Sequence, residues 1–114
     1  MANVNDLYKA SFGQYGSAFD DAAGSAITPD TGMIICAITF LSDTGLAALA
    51  AEDDTDAGNE SFGLTAGHTG AGTGGIVISA ANIFPKGMTI FGRWTSVTTT
   101  ADSTAGIIVY FSPK

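Results

Sequence analysis

The chain has 114 residues and a mass of 11.5 kDa, the size of one domain with a single core. Eleven Asp and Glu against four Lys and Arg give a net charge of −7, and the cations Lys9, Lys86, Arg93 and Lys114 are scattered, which argues against nucleic-acid binding because phosphate recognition needs clustered cations. Charged residues make up 13% of the chain, about half the roughly 25% of an ordinary soluble domain, so part of the surface is expected to be covered by neighbouring subunits.

The first thirty residues are small and polar, and Gly13, Gly16 and Gly24 oppose a stable helix. Aromatics recur at Tyr8, Phe12, Tyr15 and Phe19. Residues 1–30 therefore read as an extended N-terminal arm whose four rings are anchors, ordered where it docks. The opening residues lack a cationic start and a long apolar run, so no secretory signal is expected. No apolar segment reaches the roughly 20 residues of a membrane span.

At Met33 the texture changes. "MIICAITFL", residues 33–41, is apolar on both faces, as in a strand buried on two sides. Cys36 lies within it and is the single cysteine, so no intrachain disulfide forms and an inert, buried thiol is expected. "SDTG" is turn chemistry, and "LAALAA", residues 46–51, reads as a short strand pairing with the preceding one. Two loops follow, "EDDTDAGNE" and "AGHTGAGTGG", with "SFGLT" a short strand between them. "IVISA", residues 76–80, reads as a strand and "NIFPKG" as a turn. "MTIFGRWTSVT" makes one long strand or two, kinked near Gly92, and "IIVYFS" closes the sheet after a polar turn. Short strands separated by turns predict an all-β fold: a small antiparallel β-sandwich or jelly-roll-like barrel over residues 31–114, preceded by the arm.

Catalytic signatures are weak. Gly70, Gly72 and Gly75 spell G-x-G-x-x-G, but a strand-like segment follows and no cation is near, so a surface loop is the reading. Asp53, Asp54, Asp56, Asn59 and Glu60 form an oxygen-rich stretch onto which no EF-hand frame fits. A solvated acidic loop is expected, with a structural cation as the alternative. His68 is the single histidine, and one His with one distant Cys cannot supply the three or four donors of a zinc site. No nucleophile motif accompanies it. No catalytic, cofactor or metal residue is assigned, and an enzyme is not expected.

The densest stretch is "FPKGMTIFGRWTSVT", residues 84–98, which holds the only Trp. Strict alternation places Ile90, Trp94 and Ser96 on one face and Phe91, Arg93, Thr95 and Val97 on the other. Gly92 leaves a gap between Ile90 and Trp94 for a ring or another backbone. Trp94 reads first as the central core residue; the functional reading puts Trp94 or Arg93 at a contact between subunits, where Trp and Arg are enriched. In so acidic a chain an intersubunit carboxylate is the expected partner of Arg93.

This stretch, with the closing "AGIIVYF", resembles small virion proteins of tailed phages, particularly those of cyanobacteria and other aquatic bacteria. The shared pattern is (F)P-x-G-x-x-I-(Y/F)-G-R-W-(T/S)-x-(V/F/I)-T, matched here by Phe84, Pro85, Gly87, Ile90, Gly92, Arg93, Trp94 and Thr95, with Phe91 at the Tyr/Phe position. "AITFLSDTGLAALAAEDD" is also similar, so the likeness runs from about Ile34 to Phe111. The closing turn, "TTADSTAG", is longer and more polar than in that pattern. The resemblance implies a capsid decoration (cement) protein: all-β, trimeric, and seated on the outer shell where capsomers meet. It implies the major capsid protein and further copies of the chain as partners, with no nucleic acid and no membrane. The interface residues expected on this reading are Tyr8, Phe12, Tyr15, Phe19, Arg93, Trp94, Tyr110 and Phe111. The alternative is a tail or fibre module contacting host-surface carbohydrate, against which stands a loop, residues 66–75, with neither aromatic nor cation.

Overall fold

The computed structural model describes residues 15–52, 61–101 and 103–114. The described residues form strands and loops without a helix: β1 (Ser17–Asp20), β2 (Ala26–Ile27), β3 (Met33–Phe40), β4 (Thr44–Ala51), β5 (Ile83–Phe84), β6 (Thr89–Thr99) and β7 (Ile107–Pro113). They build one antiparallel sheet in the order β1-β7-β3-β6-β4-β5, with β2 pairing β6. The small antiparallel all-β expectation holds, and the sheet curls into a half-barrel. Tyr8, Phe12 and the oxygen-rich stretch of Asp53, Asp54, Asp56, Asn59 and Glu60 lie outside the described residues.

The central strands are the apolar, β-branched ones, which fit a pleated surface packed on its faces. Register shifts then bend them. Ile35 pairs Trp94 while Ala37 pairs Phe91, so β6 carries one extra residue near Gly92. Ile35 pairs Phe111 while Ala37 pairs Tyr110, so β3 carries one at Cys36. Such bulges bend a strand and increase its twist, and here they accompany the sheet's curl around a concave interior. Ile35, Ile38, Phe40, Leu46, Leu49, Trp94, Val97, Ile107 and Val109 fill that interior, and Phe62, Leu64, Ile78 and Phe84 pack against it. Phe40 and Phe84 stack with centroids 4.9 Å apart.

Several expectations need correction. The segment read as an arm is in part sheet: Ser17–Asp20 pairs β7, and Ala26–Ile27 runs along β6 in line with β3. Gly24, with a φ of 82°, turns the chain between β1 and β2, and Gly16, with a φ of 104°, stands immediately before β1; other residues avoid that conformation. β4 does not pair β3. The segment between them crosses the end of β6, and β4 pairs on the far side of that strand. Residues 76–80 make no strand: Ile76 is exposed, and Ile78 turns inward while its N–H donates to Gly63 O at 3.0 Å. "SFGLT" contributes one bridge, Phe62 to Thr69. Val97 joins Trp94 in the core, because a second bulge on β6, between Trp94 and Ser96, shifts the alternation by one residue.

Candidate functional site: the convex face of the sheet

The "GRW" of β6 shows how the two faces are separated. Trp94 is wholly buried. Its Nε1 donates to Phe62 O at 2.7 Å, and its ring meets Phe62 edge-on at 5.5 Å. The same ring lies over Gly92, where a methyl would stand 2.6 and 2.7 Å from Cζ2 and Cη2. The gap expected at Gly92 is thus filled by its own neighbour two residues on. Trp94 is thereby withdrawn from any contact between copies, because its surface is used up inside its own chain. Arg93 finds its acid in the same chain: Nε and Nη2 both donate to Glu52 Oε2 at 2.9 Å. The backbone supports this pair, with Glu52 N donating to Arg93 O at 2.8 Å and Arg93 N to Ser61 Oγ at 2.8 Å. An intersubunit carboxylate is not needed to satisfy it.

The remaining candidates divide by face. Phe111 packs against the core, and its N–H donates to Gly16 O at 3.0 Å. Tyr15 is half-buried where the described chain begins. Phe19 and Tyr110 lie on the convex side, since their neighbours Ala18 and Val109 face the core. Two residues outside the expected set join them. Phe91 follows core residue Ile90 and is 75% exposed, and Ile108 lies between core residues Ile107 and Val109. The pairings lay these side chains out in two rows. Ser17, Tyr110, Ala37 and Phe91 align across β1, β7, β3 and β6, and Phe19, Ile108, Thr39 and Thr89 align beside them. Thr39 Oγ1 and Thr89 Oγ1 satisfy each other at 2.8 Å. None of these eight side chains is a carboxylate or a cation. The signal for Phe91 was legible: once Trp94 is core, strand alternation sends Phe91 outward.

Polar groups elsewhere serve the fold. His68 Nδ1 accepts from Ala51 N at 3.2 Å and so ties the glycine loop to β4. Thr44 Oγ1, wholly buried, donates to Ser42 O at 2.7 Å and meets Ser103 Oγ at 3.3 Å. Thr99 Oγ1 is buried without a hydrogen-bond partner among the described residues. Burial pushes the Cys36 thiol above its ordinary range, partly offset by a backbone hydrogen bond. The thiol therefore stays protonated at neutral pH, the opposite of an activated nucleophile. Among the described residues no group of three or more His, Cys, Asp or Glu is placed to hold a metal ion. No helix there is long and apolar enough to cross a membrane. No protein family matches the chain, and no curated protein and no solved structure matches it.

Proposed function

We propose that the chain is a non-enzymatic structural protein of a tailed-phage virion. On this reading it is a decoration protein that attaches as a trimer to the outside of the head and holds adjacent major capsid subunits together. The observation that carries the proposal is the eight-residue uncharged patch on the convex face, with Phe19 and Phe91 both exposed on a chain of net charge −7. Such a patch lowers its free energy by being covered, and its eight side chains include no carboxylate, cation, imidazole or thiol. The similarity of residues 84–98 to small phage virion proteins supplies the kind of assembly. Trimeric attachment makes modest contacts sufficient, because after the first subunit docks the others bind at high effective concentration.

The test is co-sedimentation of the purified protein with emptied heads of the encoding phage, followed by limited proteolysis of the bound fraction. Decoration predicts saturable binding and protection of residues 1–30 on the shell. Failure to bind heads, together with binding to tails or to host-surface glycans, would transfer the chain to a tail or fibre.

A further inference from the structure

Strand β1 pairs β7 and, among the described residues, no strand lies along its other flank. The ladder fixes which of its backbone groups are taken. Phe111 N donates to Gly16 O at 3.0 Å, and bonded positions alternate along an antiparallel pair. Gly16, Ala18 and Asp20 therefore turn their backbone groups towards β7, while Ser17 and Phe19 turn theirs to the open edge. A bare edge of this kind is a template for a further strand.

Two features just upstream select that strand. Tyr15 lies in a turn, and Gly16 holds a left-handed φ of 104°, the conformation that ends a three-residue hairpin loop. Before that loop the sequence alternates: Tyr8, Ala10 and Phe12 are apolar, Lys9 and Ser11 polar, the period of a strand with one buried face. Residues 1–14 lie outside the described residues and join them at this turn. We propose that residues 10–13 fold back through the loop Gln14, Tyr15 and Gly16 and add to the open edge of β1 as the outermost strand. The occupant is the same chain, because a three-residue loop leaves it nowhere else to pair. This inference is independent of the virion reading.

Loop length sets the face. With three loop residues, Gly13 falls opposite Ser17, Phe12 opposite Ala18, Ser11 opposite Phe19 and Ala10 opposite Asp20. Ala18 packs against the core, so Phe12 enters on the core side. It lies there beside Gly16, where an added Cβ would touch Phe111 Cδ2 at 3.8 Å. A four-residue loop would shift the register by one and turn Phe12 to the convex face, against the apolar pattern. Lys9 then stands at the new edge, where a charged side chain discourages pairing with another copy.

Nuclear magnetic resonance of the labelled full chain tests this. Hα–Hα Overhauser contacts should join Phe12 to Ala18 and Ala10 to Asp20, the non-hydrogen-bonded pairs with Cα atoms about 4.5 Å apart. The amides of Ser11 and Phe19, each bonded to the other's carbonyl, should exchange at least about tenfold more slowly than those of Ala10 and Phe12, which face solvent. Phe12→Ser should erase that difference while the contacts between β3 and β7 persist, which separates loss of the added strand from loss of the fold. Unchanged exchange in Phe12→Ser would overturn the core-side placement of Phe12. A Ser11–Ala18 contact would overturn the register. No contact between residues 8–13 and β1, or contacts found only between differently labelled copies, would overturn the hairpin.

Discussion

Gly92→Ala probes the packing that divides the two faces, and its sign is informative. Gly92 does not occupy the left-handed region, so alanine is sterically admissible there. Through the unfolded chain alone the change would stabilise by about 0.4–1 kcal/mol. The new methyl, however, would lie 2.6 and 2.7 Å from Trp94 Cζ2 and Cη2 and 3.0 Å from Ser61 Oγ. Carbon contacts are comfortable at about 3.5–4.0 Å, so the indole must retreat by about 1 Å into a filled core. Retreat pulls on the 2.7 Å bond from Nε1 to Phe62 O. Overpacking of this kind costs about 1–3 kcal/mol, leaving a net loss of about 0.5–2 kcal/mol. For a domain of this size the midpoint should fall by roughly 2–8 °C. Urea denaturation followed by circular dichroism measures the free-energy loss, and a thermal melt the midpoint, in wild-type and Trp94→Phe backgrounds. The smaller ring should relieve the clash, so Gly92→Ala should cost less there or become stabilising. A stabilising Gly92→Ala in wild type, or equal changes in both backgrounds, would refute the ring-over-glycine packing.

Three further outcomes are expected. Glu52→Gln should cost about 0.5–1 kcal/mol at low ionic strength and much less in about 1 M salt, because the Arg93 side chain remains 37% exposed; a loss independent of salt would contradict the ion-pair account. The Cys36 thiol, raised chiefly by burial, should react with iodoacetamide more slowly in the folded than in the denatured protein. Its folded value lies above its unfolded one, so its contribution is present below about pH 8.5 and is lost as pH climbs through the folded value. Cys36→Ala should therefore flatten the alkaline fall in stability seen by thermal melts, and an unchanged profile would argue against it. Thr99→Val replaces a buried, unpartnered hydroxyl by a methyl of similar shape. It should be neutral or stabilising by up to about 2 kcal/mol in urea titration, whereas a loss above about 1 kcal/mol would indicate a hidden partner.

The strands that carry their own apolar pattern were legible: β3, β6 and β7 lie where "MIICAITFL", "MTIFGRWTSVT" and "IIVYFS" place them. Pairing was less so. β4 reads as the return strand of a hairpin from β3, yet only tertiary packing decides that the chain crosses over β6 and pairs on its far side. Residues 76–80 have a strand's composition, but Ile76 faces solvent and Ile78 the core from an irregular loop. The face assignment failed at Val97, where the register shift between Trp94 and Ser96 slips the period by one residue and reverses the side chain beyond it. For the candidate site, alternation correctly opposed Phe91 to Trp94. The partner of Arg93 was not readable, since Glu52 is 41 residues away in sequence and meets it only through the β4–β6 pairing.

An electron cryo-microscopy map of the encoding phage's head tests the central claim most directly. The account predicts density for this chain on the outer shell between capsomers, grouped in threes, with Phe19 and Phe91 covered by neighbouring subunits. A bare shell with the chain located in the tail, or copies on the head whose convex faces stand open to solvent, would contradict it.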